Sequence, residues 1–490
     1  MNRGYWLAAA VLLLLTANFS VGYHQADEHF QILEYAAYKL GLADAQDLPW
    51  EWHDRMRPAL QPFLAYLAYL LVGWGDHANP FTVALLLRLL SAAFTLAVAF
   101  AVFRRYQTAF PPPLGWIFGL TVLFHWFAYY NGVRFSSENW SGLAAVAGFL
   151  SYPLYLTRRE ATLTPDGGRS ALIAGMWFGL AFLIRYQIAL LVVGFGLWLL
   201  VVHREKLRNL LLLVAGGLGT LAVCYPLSYW LYGEWSLPAW NYFAANLIEG
   251  KAATYGTRPW YAYVELVFLR GIPPLSLLYL AGFGTFCYSY RRDPVAWMGL
   301  AFVVAHSLLA RKDIRFLYPL TPLLPVYLVG ALAAFLPWVA DRWHRKWWRV
   351  AASLMAIINI LLLIYVISRP AAAEIAPLKD LYETYPEGVV LTGPQSRIVK
   401  AEGAIARYYH RPATVVDTTG LPASNSALMP VGPRPLIWVD RTRDLPQPPA
   451  GSKLVYTDRP KWLDALDVDL GQKWYYLYAV YPHGREKVAN

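Results

Sequence analysis

The sequence has few charged residues and few cysteines. Asp, Glu, Lys and Arg make up 15% of its 490 residues, whereas soluble domains average about a quarter. Hydrophobic residues make up 57%. The two cysteines, Cys224 and Cys287, both lie in apolar runs, so neither a disulfide framework nor a zinc site is indicated. The composition therefore excludes an ordinary soluble domain.

The sequence also has neither a signal-peptide cleavage site nor a charge distribution typical of nucleic-acid binding. No small-x-small cleavage site follows the first apolar run, Tyr5 to Val21, so we interpret this run as an uncleaved first span and not as a removed signal peptide. The net charge is +11, but the cations lie mostly in short loops between apolar runs. That distribution does not indicate a nucleic-acid partner.

Long apolar runs follow one another from residue 5 to about 367. They predict a polytopic α-helical membrane protein whose partner is the lipid bilayer. Basic pairs such as Arg104-Arg105 mark the cytoplasmic ends of spans. An odd number of spans, about eleven, then places the C-terminus outside. The predicted spans are 5–22, 80–103, 114–130, 139–156, two helices within 171–202 that turn at Arg185-Tyr186-Gln187, 209–227, 271–290, 294–309, 316–336 and 350–367.

The pattern predicts two domains, a membrane domain at 1–368 and an external α/β domain at 369–490. A large first external loop, 23–79, contains an amphipathic helical stretch at 27–41 and an apolar stretch at 59–74, which we interpret as re-entrant or interfacial. In the tail, short β-rich runs alternate with turn signals. The tail is predicted to contain strands at 388–391, 414–416, 436–439 and 453–456, helices at 397–408 and 460–467, and a loop at 420–434.

Two adjacent carboxylates, Asp27 and Glu28, stand where the chain leaves the first span. Carboxylates are costly next to hydrocarbon, so a pair at this position is a functional candidate. The alternative is structural, because Asp27 could cap a helix that begins there. The local pattern leaves both interpretations open.

Several cations fall on the predicted external face, close to the membrane. Guanidinium groups from several loops could converge on one lipid phosphate. Alternatively, each could snorkel to ordinary phospholipid or pair with a carboxylate, as Arg134 could with Glu138. The set comprises Arg57, Arg134, Arg185, Lys251, Arg258, Arg270, Arg311, Lys312 and Arg315.

Four patches together resemble the lipid-phosphate-mannose-dependent mannosyltransferases of GPI-anchor and N-glycan assembly, which have the GT-C fold. The patches are HQADEHFQ at 24–31, similar to H-P-D-E-x-F-Q; PWEW at 49–52 followed by RPALQP at 57–62, similar to T-W-E-W and R-S-x-x-x-P; YGTRPWYAY at 255–263, similar to Y-G-x-H-P-W-H-W-Y; and RKDIRFLYP at 311–319, similar to H-K-E-x-R-F-x-x-P. The departures are Gln25-Ala26, Arg258, Tyr261 and Arg311.

The resemblance implies an inverting glycosyltransferase that moves a sugar, mannose in the family, from a polyprenyl-phosphate donor to a hydroxyl of a glycan, glycolipid or protein. It implies Asp27 as general base, with Glu28 orienting the acceptor or Asp27. The donor phosphate is expected at Arg315 and Lys312, then Arg57 and Arg258. Substrate contacts are expected from His24, Gln31, Trp50, Glu51, Trp52, Tyr255 and Trp260.

A nucleotide-sugar donor would require a metal-binding carboxylate motif on the cytoplasmic side, and none is evident, so neither a metal nor another cofactor is expected. The tail is more like those of bacterial GT-C enzymes, which predicts a bacterial inner membrane with the site facing the periplasm. The alternative functions are a transporter or flippase of a lipid-linked sugar, which often shows an internal repeat, and a structural scaffold.

Overall fold

The computed structural model divides the chain into two compact units. Unit 1 comprises Met1–Phe19, His53–Leu64 and Leu85–Arg369, and unit 2 comprises Ser20–Trp52, Ala65–Ala84 and Pro370–Asn490. The tail thus shares unit 2 with two segments from the first quarter of the chain. The structure describes residues 2–73, 78–152, 154–156, 161–163, 167–342, 344–394, 400–401, 404–416, 434–442, 446, 448, 451–459 and 473–480.

The described chain is mainly helical. Its first helices are α1 (Arg3–Phe19), α2 (Ala26–Phe30), α3 (Leu33–Lys39), α4 (Leu60–Val72), α5 (Pro80–Tyr106), α6 (Pro112–Phe124), α7 (Trp126–Gly132), α8 (Ser137–Ser151), α9 (Gly167–Ile184), α10 (Ala189–Trp198) and α11 (Leu207–Cys224). They are followed by α12 (Pro226–Tyr232), α13 (Pro238–Phe243), α14 (Lys251–Thr254), α15 (Ala262–Arg270), α16 (Leu275–Ser289), α17 (Pro294–Leu308), α18 (Leu324–Ala334), α19 (Leu336–Arg342), α20 (Lys346–Ser368) and α21 (Ala376–Thr384).

Six helical segments of the described chain are long and apolar enough to cross a membrane, and four shorter apolar helices accompany them. This agrees with a polytopic helical membrane protein; the count of about eleven spans stays a prediction. The six segments are Pro80–Tyr106, Gly167–Ile184, Tyr186–His203, Leu207–Tyr232, Ile314–Ala334 and Lys346–Ser368, and the shorter helices are Arg3–Phe19, Leu60–Val72, Leu275–Ser289 and Pro294–Leu308.

Three predicted helical stretches are divided or irregular in the structure, one of them as predicted. The run 171–202 forms two helices, as predicted, with Arg185 in extended backbone between α9 and a 3₁₀ turn at Tyr186–Ile188. The stretch at 27–41 is not one helix but two, α2 and α3. Ile314–Leu323 is a 3₁₀-helix containing Pro319 and Pro322. Each proline lacks the N–H that an α-helix would use, which explains why this part of the predicted span is not α-helical.

In unit 1, α8 packs closely against the 3₁₀-helix Ile314–Leu323. A Cβ atom added at Gly142 would lie 2.5 Å from the carbonyl oxygen of Pro319, so only glycine permits this approach of two backbones. α9 and α11 pack in the same way, since a Cβ atom added at Gly175 would clash with the carbonyl oxygen of Leu213. Such small-residue contacts are typical of packed membrane helices.

Unit 2 contains a five-stranded mixed sheet in the order β6-β3-β7-β9-β8. β3 pairs in parallel with β6 and β7, and β9 pairs antiparallel with β7 and β8. The strands are β3 (Val390–Thr392), β6 (Val415–Val416), β7 (Leu436–Thr442), β8 (Ser452–Thr457) and β9 (Trp474–Val480); elsewhere β1 (Leu154–Leu156) pairs with β2 (Ala161–Leu163), and β4 (Lys400–Ala401) pairs with β5 (Ala404–Ile405).

The tail predictions had mixed outcomes. The four predicted strands overlap β3, β6, β7 and β8. The helix predicted at 397–408 is wrong where the structure describes it, because β4, β5 and a 3₁₀ turn at Arg407–Tyr409 lie there. β9 and α21 were not predicted. The predicted helix at 460–467, and all of the predicted loop at 420–434 except residue 434, lie outside the described residues.

Candidate functional site

In unit 1, the two loops that carry the third and fourth motifs are joined by hydrogen bonds. The backbone N–H of Arg258 donates to the carbonyl oxygen of Ala310 over 3.0 Å. The Lys312 ammonium donates to the carbonyl oxygen of Arg258 over 2.9 Å and also to that of Leu309. The fold therefore gathers cations from two segments that are about fifty residues apart in sequence.

Lys312 holds these loops together. Its side chain is 4% exposed, and burial lowers the pKa of its ammonium. Bonds to two backbone carbonyls partly replace the water that burial removes. In this structure Lys312 orients the backbone at Arg258; the predicted contact with a phosphate stays a prediction.

Lys312→Met should lower the thermal unfolding temperature by a few degrees, because hydrogen bonds of a charged donor contribute about 1.5–3 kcal/mol. Differential scanning fluorimetry in detergent measures this. The exposed Arg270 at the end of α15 supplies the matched control, Arg270→Met, which should unfold as the wild type does. An unchanged unfolding temperature together with weaker donor binding would instead make Lys312 a phosphate ligand.

Arg315 lies at the start of the 3₁₀-helix Ile314–Leu323. Its Nε lies 3.3 Å from Oδ2 of Asp313, and the other oxygen of that carboxylate accepts the Arg315 N–H and so caps the helix. The guanidinium lies 5.7 Å from the centroid of the Phe316 ring. This fixes a partly exposed guanidinium, a group suited to bidentate phosphate binding.

Arg185 lies over the same Phe316 ring, 5.5 Å from its centroid. It is buried and pairs with the buried Glu138 at 3.0 Å. Glu138 is the carboxylate for which the sequence offered Arg134 as a partner, and the printed sequence contains no signal for the observed pair. Removing either partner of such a buried pair is destabilising, because the other charge is left uncompensated.

Tyr263 ends the third motif and was not among the predicted site residues. Its phenol is buried. Burial, together with the negative charge of Asp313, raises the pKa of Tyr263 well above its ordinary value. The phenol thus lies close to Asp313, the residue that caps the 3₁₀-helix Ile314–Leu323.

The other predicted residues of the third motif are exposed. Trp260 is 71% and Tyr255 is 43% exposed, and the Arg258 side chain is exposed as well. The Arg311 guanidinium lies 6.0 Å from the centroid of the Tyr255 ring. Exposed aromatic rings beside cations suit sugar or headgroup contacts.

Arg57 also lies in unit 1 but among different neighbours. Its backbone N–H donates to the Tyr232 hydroxyl, which in turn donates to the Arg57 carbonyl oxygen. Its guanidinium lies 5.5 Å from the centroid of the Tyr242 ring. Arg57 is thereby held against aromatic residues of α12 and α13; a phosphate contact from it stays a prediction.

Unit 2 contains the acidic motif, and the structure separates its two carboxylates. Gln25 occupies the cap position of α2, which places Asp27 inside the first turn. The interpretation of Asp27 as the helix cap is therefore wrong. Glu28 is buried, and its Oε2 accepts the backbone N–H of His24 over 3.2 Å. This contact resembles a capping box, in which a glutamate bonds back to the start of its helix. Asp27 is half-buried.

The remaining predicted substrate residues of unit 2 are largely packed. The buried Gln31 donates to Oε1 of the buried Glu51 over 3.2 Å. The Trp52 ring packs edge-on to Tyr35 and Tyr38, with centroids 4.9 and 4.8 Å apart. Their contacts join the PWEW segment to α3. Trp50 and His24 are half-buried, and substrate contacts from all five predicted residues stay predictions.

Two further buried residues of this unit were not among the predicted site residues. His29 Nε2 lies 2.7 Å from Glu34 Oε1, and both side chains are almost completely buried. Because a carboxylate only accepts, Nε2 carries the proton of this bond. The only sign of this pair in the sequence is that both residues lie in the predicted helical stretch 27–41, five positions apart.

A family profile described as the Alg9-like mannosyltransferase family matches residues 5–381 of the chain. The match covers well over half of the sequence and includes all four motifs. The chain belongs to the Alg9-like mannosyltransferase family. This confirms the predicted resemblance to the lipid-phosphate-mannose-dependent mannosyltransferases. The predictions of a bacterial source and of an inner membrane stay predictions.

Individual relatives agree with this membership. GPI mannosyltransferase 3 of Yarrowia lipolytica is 30% identical over 354 residues, which cover 69% of this chain and 62% of that protein. GPI mannosyltransferase 3 of Candida albicans is 27% identical over 338 residues, covering 68% of this chain and 65% of that protein. The chain thus spans somewhat less than two thirds of the length of these relatives.

The fold is also similar to that of a solved structure. ArnT from Cupriavidus metallidurans, bound to undecaprenyl phosphate, superposes with a TM-score of 0.52 at 12% identity, covering 97% of this chain and 98% of that chain. At this identity the likeness concerns the fold alone. It agrees with the predicted GT-C-like fold.

Proposed function

We propose that the protein is an inverting glycosyltransferase that transfers mannose from a polyprenyl-phosphate donor to a hydroxyl of a glycan, glycolipid or protein. The observation that carries the proposal is the joining of two loops that present Arg258, Arg311 and Arg315, with Lys312 between them, in a chain of the Alg9-like mannosyltransferase family. Guanidinium groups carried by two joined loops suit a phosphate that gains charge as it leaves.

The reaction requires a base and a stabilised leaving group. The acceptor oxygen forms a bond to the anomeric carbon of the sugar while the bond from that carbon to the phosphate oxygen breaks. The acceptor proton moves to the Asp27 carboxylate. The electron pair leaves with polyprenyl phosphate, whose charge Arg258, Arg311 and Arg315 stabilise.

Asp27 is the better candidate base of the two carboxylates. Glu28 is buried and its carboxylate accepts the backbone N–H of His24. This suits a structural role, in which Glu28 fixes the backbone before α2. Asp27 is half-buried and does not serve as the cap of α2. We place both residues, and all predicted substrate contacts, on the external face, with no metal taking part.

Purified protein, incubated with a panel of polyprenyl-phosphate sugars, should release polyprenyl phosphate from the mannose donor and yield a product of inverted anomeric configuration. Mass spectrometry of the lipid and NMR of the product measure both. A chemically intact donor that moves between leaflets of proteoliposomes would contradict the proposal and favour a flippase. If polyprenyl phosphate were released only from a donor that carries a different sugar, the proposed donor would be wrong and the proposed reaction type would stand.

A further inference from the structure

The segment before the acidic motif is bonded to the tail within unit 2. The carbonyl oxygen of Val21 accepts the N–H groups of both Ala371 and Ala372, over 2.9 and 3.1 Å. Gly22 follows with a positive φ of 85°, and a Cβ added there would lie 2.7 Å from the Cβ of Ala372. The chain entering the motif is therefore fixed against a part of the protein some 350 residues away in sequence.

His29 lies inside the tail's aromatic contacts. Its ring stacks on Tyr409 at a centroid distance of 5.2 Å and an angle of 12°. The ring also stacks on Tyr23, at a centroid distance of 5.1 Å and an angle of 19°. Since His29 directly follows Glu28 and lies two residues after Asp27, the ring's position determines where α2 can lie.

Glu34 joins the same two segments by hydrogen bonds. Its Oε1 accepts from His29 Nε2 over 2.7 Å and from the backbone N–H of Tyr408 over 3.0 Å. A second ion pair joins Arg407, the residue before Tyr408, to Asp47, with 3.0 Å between Nε and Oδ2. Buried charged hydrogen bonds of this kind are costly to break, because the carboxylate would remain without compensation.

We infer that the tail segment Arg407–Tyr409 is a positioning element for the carboxylates of α2, acting through the stacking of Tyr409 on His29 and the bond from Tyr408 to Glu34. The family match ends at residue 381, so this element lies outside the matched region. The inference rests on the proposed function insofar as Asp27 is the base. None of these tail residues is required to touch the substrate.

Tyr409→Leu tests the stacking contact. It should lower kcat by about ten- to a hundredfold, since small displacements of a catalytic group cost up to about 10²-fold, while the KM for the donor stays within about twofold. Tyr409→Phe keeps the ring and should restore kcat. Tyr478→Leu is the matched control, because Tyr478 lies on β9 of the same unit and packs on Trp438.

A double variant separates positioning from general destabilisation. Once Asp27→Asn has removed the base, Tyr409→Leu should lower the residual rate no further, because both act on the same group. An additional ten- to hundredfold loss in that background would overturn the inference. If Tyr409→Leu is not monodisperse, Glu34→Gln replaces it, with about a tenfold loss of kcat expected from a misplaced base and full activity overturning the inference.

Hydrogen exchange keeps the inference testable apart from catalysis. Amide exchange across residues 24–31 should accelerate in Tyr409→Leu but not in Tyr409→Phe or Tyr478→Leu. Unchanged exchange would overturn the inference whatever the activity. Loss of activity in Asp27→Asn with normal kcat and exchange in Tyr409→Leu would overturn the inference alone. Accelerated exchange in a protein that transfers no sugar would overturn only the proposed function.

Discussion

Asp27→Asn should lower kcat for mannose transfer by about 10²–10⁴-fold, the usual contribution of a general base. The amide retains the size of the side chain but cannot take the acceptor's proton. Because Gln25 and not Asp27 occupies the cap position of α2, the substitution removes no cap. The KM for the donor should stay unchanged or fall. Steady-state kinetics and donor binding on purified, monodisperse protein measure the two quantities.

Two variants accompany this experiment. Glu28→Gln keeps an oxygen that can accept the His24 N–H, so it should fold and lose less activity. Asp44→Asn removes an exposed carboxylate of the same unit and should behave as the wild type. Near-normal kcat in Asp27→Asn would show that the base assignment is wrong. If Glu28→Gln were then inactive, the base would be Glu28.

Arg315→Ala should raise the apparent KM for the polyprenyl-phosphate donor by about ten- to a hundredfold, which corresponds to about 1.5–3 kcal/mol for a hydrogen bond to a charged group. The KM for the acceptor should change little. The side chain is 14% exposed, so its truncation leaves a small cavity at the surface. Arg315→Lys keeps the charge without the planar guanidinium, so its donor KM should lie between those of the wild type and of Arg315→Ala.

Arg270→Ala is the control for a general loss of positive charge, because Arg270 is exposed and lies on α15 in the same unit. Its donor KM should equal that of the wild type. The unfolding temperature of Arg315→Ala should also be close to normal, since Asp313 still accepts the backbone N–H at position 315. An unchanged donor KM with normal turnover would remove Arg315 from the site.

The sequence by itself determined the membrane class, the family and the local character of the motifs. Apolar run length predicts helices because an isolated helix satisfies its own backbone groups in lipid. The order of the motifs along the chain was sufficient to recognise the family. A charged residue within a long apolar run, such as Arg185 within 171–202, likewise predicted correctly where one helix ends and the next begins. The helix predicted at 397–408 is wrong in its described part, because pairing between β4 and β5 overrode the local pattern there.

Tertiary structure alone decided which residues act on one another. Glu138 pairs with Arg185, which is remote from it in sequence, and Lys312 bonds to the carbonyl oxygen of Arg258. The bond between Glu34 and Tyr408 joins residues 374 positions apart. Periodicity and spacing report only a residue's own element, whereas such contacts depend on how elements pack. For that reason Asp27 and Glu28 could be recognised from the sequence, but the tail contacts of the nearby His29 and Glu34 could not.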